Sequence, residues 1–395
     1  MSVLTGQGAP SRMPGLDLLR AAAILWVMLY HAAGMGLVSS ANPVAPLGWM
    51  GVDLFFALSG FLIGGQLLRP IARQEPSRFG IFYLRRLFRT LPPYLLMLSL
   101  YLVLPPIREW ETMQPAWQFL TFTENLFVDA NVSRTFSHAW SLCVEEQFYL
   151  VAPCVVWLLT RRPTARVTIA FLVAVVVGGM ALRGYIWVHD LQPIAHITSG
   201  PGNIDQVWEE RIYYPTWTRL DGLVGGMAFA AIRMLRPAAW AWLERRADLV
   251  LLVGICAFAA SIAIFAEPKS FVAVVFGYPL LAFGASCLVA SGASRQGLLG
   301  RWEAPGAAFV AAMAYSLYLS HKAAFHLSQQ FVTAQADLHP LLGDLINGGG
   351  AMAAGLALHL IAERPALRLR DRLLGERRVQ TETRLDGEPA FSPGR

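Results

Sequence analysis

The sequence predicts an all-α polytopic membrane protein, a bundle of about ten transmembrane helices with both termini in the cytoplasm. Two features of composition predict this class: 55% of the residues are hydrophobic and only 15% are charged, whereas a soluble domain carries about 25% charged residues. The third observation is that the apolar residues gather into runs of about 20, the length that a helix needs to cross a hydrocarbon core. Backbone inside a bilayer must satisfy its own hydrogen bonds, so these runs are predicted to be helices.

Ten such runs follow one another along the chain. The first carries Asp17, Arg20 and His31, which a cleavable signal sequence has no reason to contain, so we count it as a helix. One transmembrane core, residues 1–374, holds all ten, and residues 375–395 are predicted to be a disordered cytoplasmic tail. The predicted helices are 14–34, 47–68, 83–104, 140–160, 167–188, 215–235, 248–266, 271–291, 305–331 and 340–362.

The net charge of +6 indicates topology and not nucleic-acid binding. When the loops are assigned alternately to two sides of a membrane, one side receives 25 of the 32 lysines and arginines and seven remain elsewhere. Basic residues mark the cytoplasmic side, which places both termini and the loop 69–82 there. The long connections 105–137 and 189–214 then face the other side and are candidates for a lid or a vestibule.

The first helix carries the ionisable residues that point most clearly to chemistry, because such groups are costly inside a membrane. At about 100° per residue, Arg20 and His31 differ by only about 20° after whole turns, and Asp17 lies within about 60° of Arg20. The three therefore share one face, and a rise of roughly 16 Å separates Arg20 from His31. The alternative is a structural histidine bonded to a neighbouring helix.

The third helix begins with Arg85, Arg86 and Arg89. A guanidinium matches phosphate oxygens in bidentate fashion, so we predict that these arginines bind a phosphate group. The alternative is that they only flank a membrane span. We expect Pro92 and Pro93 to break the helix and open a pocket there.

The remaining ionisable residues fall at a depth similar to that of His31, in the outer half of the bundle. Glu145 and Glu146 are adjacent and cannot both face lipid, so at least one should find a polar site. Gly60 and Gly64, in contrast, have the spacing of a helix contact. One polar cavity with an anionic-ligand entrance at the cytoplasmic end would explain these residues. Besides His31, we expect it to hold Asp53, His138, Trp140, Ser141, Glu145, Asp221 and His321.

These blocks resemble, in order, those of the acyltransferase-3 family of integral membrane acyltransferases. The matching segments are LDLLRAAAILWVMLYH (16–31), GVDLFFALSGFLI (51–63), RRLFR followed by PPY (85–94), HAWSLCVEEQFYL (138–150), RLDGLVGG (219–226), YSLYLSH (315–321) and ERP (363–365). The resemblance implies a ten-helix core that uses a cytoplasmic acyl-CoA donor, with His31 catalytic and the nucleotide end of CoA held at Arg86 and Arg89. It also implies a hydroxyl acceptor among glycans, glycolipids or macrolide-type natural products. We expect no appended extracytoplasmic domain.

The predicted function is therefore O-acyl transfer, with acetyl-CoA as the expected donor, no metal, and a place in the cell membrane of the bacterial inner-membrane type. In this mechanism His31 is the general base, Glu145 or Asp17 orients it, and Arg20 or Ser141 stabilises the oxyanion. His138 is a further catalytic candidate, and a covalent acyl-histidine stays open. The rival class is a proton-coupled transporter or exporter. Against it, the sequence has no convincing internal repeat, and the arginine cluster is confined to one cytoplasmic stretch.

Overall fold

The described part of the chain is helical throughout. The computed structural model describes residues 12–38, 42–129, 134–161, 164–333 and 340–375, and these ranges contain helices and connections but no strand. The all-α prediction is therefore confirmed for them. The predicted tail, apart from Gly375, lies outside the described residues.

Each of the ten predicted runs falls on a long helix within the described ranges. These are α1 (Pro14–Gly34), α2 (Met50–Ala72), α3 (Phe79–Val103), α4 (Trp140–Arg161), α5 (Ala165–Ile186), α6 (Asp221–Leu235), α7 (Ala247–Ile264), α8 (Tyr278–Gly292), α9 (Ala314–Ser328) and α10 (Pro340–Leu358). Four of them run on through π-helical turns at Trp187–Leu191, Ala273–Gly277, Gln329–Thr333 and His359–Glu363, and the last turn leads into α11 (Arg364–Leu373). Shorter helices occupy Ala116–Leu120, Ile204–Trp208, Glu209–Tyr213, Pro237–Glu244, Leu298–Arg301 and Ala307–Ala312.

Seven helical stretches among the described residues are long and apolar enough to cross a membrane, which makes this a multi-pass membrane protein. They are Pro14–Gly34, Ala45–Ala72, Ser137–Arg161, Ala165–Ile194, Ala247–Ile264, Ala273–Gly292 and Leu342–Leu373. Helices α6 and α9 have 15 residues each, fewer than the roughly 20 that a full crossing takes. Helix α3 begins at Phe79 and carries the three arginines in its first half. Ten crossings and cytoplasmic termini therefore remain predictions.

The prediction that Pro92 and Pro93 break the third helix is wrong. Helix α3 runs without interruption from Phe79 to Val103, with both prolines inside it. Hydroxyl groups bond to this helix just before the prolines: Tyr315 donates to the carbonyl of Thr90 at 3.0 Å, and the Thr90 hydroxyl donates to the carbonyl of Arg86 at 3.0 Å. Membrane helices tolerate proline without a break more readily than soluble ones do.

Glycines let α2 and α6 approach each other until their backbones touch. A Cβ atom on Gly60 would lie 2.0 Å from the carbonyl oxygen of Leu223, and one on Gly226 would lie 2.0 Å from the carbonyl oxygen of Ala57. A Cβ on Gly64 would lie 2.7 Å from that of Ala230. The predicted role of Gly60 and Gly64 as a packing face is therefore confirmed, and their partner is α6.

Helix α2 also contributes side chains to the centre of the bundle. There one apolar cluster joins side chains of α1, α2, α3, α4 and α9, including Val27, Phe56, Tyr94, Val144 and Leu317. These side chains are almost completely buried. The helices that carry the predicted catalytic and phosphate-binding residues thus share one core, which fixes the relative positions of those residues.

We expect Gly60→Ala to destabilise the protein, because the new methyl group would overlap the backbone of Leu223. Overpacking of this kind costs about 1–3 kcal/mol or more. The measurement is the thermal unfolding midpoint of the full chain in detergent. Gly65→Ala is the matched control, since a Cβ on Gly65 has no neighbour within 4 Å among the described residues, and its midpoint should stay or rise. Equal midpoints for the two variants would contradict the backbone contact.

Candidate active site

A cavity of about 670 Å³ enters the bundle between α1, α2, α3, α4, α9 and α11. Its wall carries more positive than negative side chains, which favours an anionic ligand. The arginines on the wall are Arg12, Arg20, Arg86, Arg89 and Arg370, and the carboxylates are Asp17, Glu145 and Glu146. A polar cavity lined by arginines therefore exists. Of the residues predicted to share it with His31, Ser141 and Glu145 line it.

Arg86 and Arg89 line the cavity together because residues three apart share a helix face. The Arg89 guanidinium lies 2.5 Å from the Glu363 carboxylate, which is completely buried. Glu363 also accepts hydrogen bonds from Ser316 at 2.6 Å and from His359 at 2.9 Å. These contacts fix Arg89 at the cavity wall.

Arg86 is held differently from Arg89. Its guanidinium lies 5.4 Å from the ring centroid of Tyr149, and its buried Nε has no hydrogen-bond partner among the described residues. Arg85, the third arginine of the predicted cluster, does not line this cavity. It lines a second pocket between α2 and α3. Of the three, Arg86 and Arg89 are placed to meet a ligand in the main cavity.

Asp17 and Arg20 lie at the cavity wall near the start of α1. One Asp17 oxygen accepts a hydrogen bond from Arg12 Nε at 2.8 Å, and the other lies 3.5 Å from Arg20. The shared face of Asp17 and Arg20 is as predicted. Asp17 contacts Arg20 and Arg12 at the arginine-rich end, and no contact with His31 is found among the described residues.

Glu145 and Glu146 both line the cavity. The two carboxylate oxygens of Glu145 accept hydrogen bonds from the hydroxyls of Ser59 at 2.9 Å and Tyr149 at 2.6 Å. Glu145 therefore joins α2 to α4. The predicted role of Glu145 in orienting His31 requires a direct contact with that imidazole. No such contact occurs among the described residues.

His31 is oriented by another histidine. His321 is completely buried, and its Nδ1 lies 3.0 Å from the carbonyl oxygen of Leu317. A carbonyl only accepts, so Nδ1 of His321 carries the proton and its Nε2 is an acceptor. Nδ1 of His31 lies 2.8 Å from that Nε2 and must be the donor. The remaining nitrogen of His31, Nε2, then carries a lone pair for which the described residues supply no donor, as a general base requires.

His138 completes a group of three imidazoles at the end of α1. Its ring centroid lies 5.2 Å from that of His321 and 6.1 Å from that of His31. His138 Nε2 approaches the carbonyl of Leu319 at 3.3 Å, while its buried Nδ1 has no hydrogen-bond partner among the described residues. The described residues contain no group of three or more side chains suited to holding a metal ion.

Tyr318 and Ser141 connect the cavity to the histidines. Both line the cavity, and their hydroxyl oxygens are 2.6 Å apart. The Tyr318 hydroxyl donates to the carbonyl of His138 at 2.9 Å, so the Ser141 hydroxyl is the donor to Tyr318. The cavity therefore extends from the arginines to a pair of hydroxyls that touches the histidine group.

Three predicted cavity residues belong instead to buried ion pairs. Arg219 donates to both oxygens of Asp53 at 3.0 and 2.9 Å, and Trp140 packs with its ring centroid 5.4 Å from the same guanidinium. Arg183 donates to the two oxygens of Asp221 at 2.7 and 3.2 Å. Asp53, Trp140 and Asp221 do not line the cavity, and neither do His31, His138 and His321. These pairs join α2, α5 and α6.

Three residues of this site and its surroundings, Arg183, Ser59 and Tyr318, had no predicted role in it. Arg183 is completely buried in an otherwise apolar helix. Its charge could have indicated a buried ion pair, because an arginine inside a membrane helix needs a partner. Ser59 and Tyr318 carry only hydroxyls, which are common in membrane helices. No feature of the sequence marked them.

The long connections pack onto the end of the bundle where the histidines lie. Asn125 donates to Tyr214 and Thr216 at 3.1 and 2.8 Å, which ties the two connections together. Burial raises the pKa of Glu124 to about 8, although the charge of Lys322 opposes the shift. Glu124 is therefore mainly uncharged at pH 7. This part of the described connections is therefore buried and hydrogen-bonded, and it covers the end of the bundle.

These features define a class: a multi-pass membrane protein in which an arginine-lined cavity ends at two hydroxyls that contact a group of three histidines. The chain belongs to the acyltransferase-3 family, whose model, described as an acyltransferase domain, matches residues 13–362. The resemblance seen in the sequence is thus confirmed.

The chain is similar to two groups of proteins from Staphylococcus aureus. It is 29% identical over 238 residues to "O-acetyltransferase OatA" of strain NCTC 8325 / PS 47, a match that covers 57% of this chain and 35% of that protein. It is 30% identical over 233 residues to "Putative O-acetyltransferase SAS0844" of strain MSSA476, a match that covers 55% of this chain and 34% of that protein. The matches thus span about a third of the length of these relatives. No solved structure matches the chain.

We expect Asp221→Asn to lower stability strongly, because it leaves the buried Arg183 without its carboxylate. Breaking a buried ion pair costs about 3–5 kcal/mol. The matched control is Glu75→Gln, which removes the exposed contact with Arg73 at 4.0 Å and should cost about 0–1 kcal/mol. Thermal unfolding in detergent measures both. An Asp221→Asn protein of normal stability would mean that the pair does not hold the helices together.

Proposed function

We propose that this protein is an O-acyltransferase that moves an acetyl group from acetyl-CoA to a hydroxyl of a glycan, glycolipid or macrolide-type natural product. The donor enters at the arginine-rich end of the cavity. The family and the O-acetyl transfer named in the relatives support the reaction class. The bacterial source of the relatives supports a place in a bacterial cell membrane.

One observation carries the proposal: the chain of hydrogen bonds from His31 through His321 to the carbonyl of Leu317. It fixes the tautomer of His31 and leaves Nε2 free to accept a proton. An imidazole changes charge near neutral pH, which suits it to this work. A histidine that only supported packing would have no need of an oriented lone pair beside a cavity.

In the proposed step, Nε2 of His31 takes the proton of the acceptor hydroxyl while that oxygen attacks the thioester carbonyl carbon. The new carbon–oxygen bond gives a tetrahedral intermediate with a negatively charged oxygen. When the carbon–sulfur bond breaks, the sulfur of CoA takes the proton from His31 and leaves as the thiol. The histidine returns to its starting form. Throughout the step, His321 accepts a hydrogen bond from Nδ1–H of His31 and so stabilises the imidazolium.

The Ser141 hydroxyl stabilises the oxyanion by turning its hydrogen from Tyr318 to that oxygen, while Tyr318 keeps its bond to the carbonyl of His138. Both hydroxyls line the cavity, where a thioester reaching toward His31 would arrive. Donors aimed at a developing oxyanion are worth about 10²–10³-fold in rate. Arg20 lies with Asp17 near the other end of the cavity, which favours a role in donor binding for that residue.

The acceptor approaches from the end of the bundle opposite the arginines. His31 is only partly buried, and the adjacent Tyr30 is 37% exposed, with its ring 5.3 Å from the imidazole. The described connections pack around this end, and Arg134 bonds to Glu209 at 3.0 Å between them. Donor and acceptor would then meet at His31 from two sides.

We expect His31→Ala to lose about 10²–10⁴-fold of the acetyl-transfer rate, because it removes the general base. Binding of CoA should persist, since the arginines of the cavity are untouched. The assay follows thiol release and acceptor acetylation by the purified protein, with CoA affinity measured on the same preparation. His196→Ala, in the exposed connection, is the control and should leave both unchanged. Near-normal transfer by His31→Ala would refute the mechanism, and a wild-type protein that moves acceptor without releasing thiol would favour the transporter.

We expect His321→Gln to keep more activity than His321→Leu, because glutamine retains an oxygen that can accept the Nδ1 proton of His31. The loss in His321→Leu should appear in kcat, with KM for the donor little changed, since His321 acts through His31. Steady-state kinetics on both variants measure this split. Equal activity of the two variants would show that the bond to His31 does not matter.

We expect Arg86→Ala to weaken CoA binding by about tenfold, because a hydrogen bond to a charged group contributes roughly 1.5–3 kcal/mol. Isothermal titration with CoA measures the affinity. Arg73→Ala is the control: it removes an exposed arginine from the same basic stretch that lines neither the cavity nor the second pocket. If both variants bind CoA as the wild type does, the cluster serves topology only.

A further inference from the structure

Helix α11 continues the last apolar stretch of the chain beyond the length that a membrane crossing needs. The stretch Leu342–Leu373 has 32 residues, which corresponds to roughly 48 Å of helix. A hydrocarbon core is about 30 Å thick and takes about 20 helical residues to cross, so residues 342–361 suffice. The residues that follow include α11 and therefore lie at the level of the lipid headgroups.

Two stripes run along the exposed side of α11. Residues four apart lie close together on one side of a helix. Arg364, Arg368 and Arg372 recur at this spacing, and all three are exposed. Leu369 and Leu373, each one position after an arginine, form a second stripe about 100° away and are 48% and 62% exposed. The helix thus presents a charged stripe beside an apolar one.

This combination is typical of a helix that lies in the interface of a membrane. Leu345, Leu360 and Ile361 are exposed as well, so the apolar side of α10 continues into the apolar stripe of α11. Arginine stems are long enough to keep their guanidiniums among the headgroups while the leucines beside them reach the acyl chains. Water around the helix would give the two leucines no such contact.

The charged stripe has an excess of positive charge. Helix α11 holds a single carboxylate, that of Asp371, and it accepts hydrogen bonds from Nε and Nη2 of Arg370 at 2.9 and 2.6 Å. No ion pair of Arg364, Arg368 or Arg372 is found within the part of the chain that the structure describes. Guanidiniums match phosphate oxygens with two parallel N–H donors, so the stripe is complementary to phosphate groups.

We propose that α11 is an interfacial helix that binds anionic glycerophospholipids. Arg364, Arg368 and Arg372 bind the lipid phosphates, and Leu369 and Leu373 lie among the acyl chains. A lipid with a net negative charge is favoured over a zwitterionic one. The choline headgroup carries its own cation, which competes with the arginines for the phosphate, whereas a glycerol headgroup carries none.

The other side of α11 gives this contact a place in the architecture of the protein. Leu367 and Arg370 line the main cavity, and Glu363, directly before α11, is the buried carboxylate that binds Arg89. Lipid bound to the outer side therefore stabilises one wall of the cavity from outside. The lipid contact itself does not depend on the reaction proposed above.

The test titrates phosphatidylglycerol and phosphatidylcholine against the full chain in detergent and measures bound lipid by native mass spectrometry. The wild type should bind phosphatidylglycerol more tightly. Arg364→Gln/Arg368→Gln/Arg372→Gln should weaken that binding about fivefold for each arginine removed, with phosphatidylcholine binding unchanged. Phosphatidylglycerol should also raise the thermal unfolding midpoint of the wild type and not that of the variant. Equal midpoints of the two proteins without added phosphatidylglycerol show that the variant is folded.

The matched control is Arg236→Gln/Arg245→Gln/Arg246→Gln, which removes the same charge from exposed arginines near another short helix on the predicted cytoplasmic side. It should keep the preference for phosphatidylglycerol. An equal loss in the two triple variants would overturn the assignment to α11, because any surface charge would then attract the lipid. A wild type that binds the two lipids equally would overturn it too.

The apolar stripe is tested separately. Leu369→Ser/Leu373→Ser should weaken the binding of both lipids, because their acyl chains lose contact with the helix while the arginines stay. Unchanged affinity for both lipids in this variant would mean that α11 faces water, and the interfacial position would then be wrong.

Discussion

The contact between α2 and α6 is the constraint on which the rest of the bundle depends. Gly60 and Gly226 bring the two backbones together, and Arg219 closes the contact by binding both oxygens of Asp53. Inside a membrane a charge without a partner is very costly, so the pair allows only one register of the two helices. With one face of α2 fixed in this way, its other face presents Ser59 to the cavity and to Glu145.

The site separates two kinds of chemistry along the axis of the bundle. Arginines gather at the end where the cavity opens, and water can solvate their charges there. The histidines lie at the other end, where hydrogen bonds orient them: His321 donates a hydrogen bond to a backbone carbonyl and accepts one from His31. The hydroxyls of Tyr318 and Ser141 stand between the two groups. An anionic donor can therefore be held by charge at one end and react at the other.

Helix geometry alone carries part of this organisation. Residues three or four apart share a face and adjacent residues do not, so Arg86 and Arg89 meet in one space while Arg85 turns to another. The same rule put Asp17 and Arg20 on one stripe of α1, as the sequence predicts. Its reach ends at the helix surface. Helix periodicity does not indicate which helix packs against a given face. For that reason Glu145 was predicted to orient His31, whereas in the structure it bonds to Ser59 and Tyr149.

The sequence by itself determined the class, the positions of the helices and the family, because hydropathy and local spacing are properties of contiguous residues. The limits 14–34 of the first helix match the structure. Only the tertiary structure decided the partners. It paired Asp53 with Arg219 and Asp221 with Arg183, kept α3 whole through its two prolines, and gave His31 a histidine from α9, 290 residues away, as its partner. Such bonds depend on how helices pack, and packing energies come from contacts between distant segments that no local pattern records.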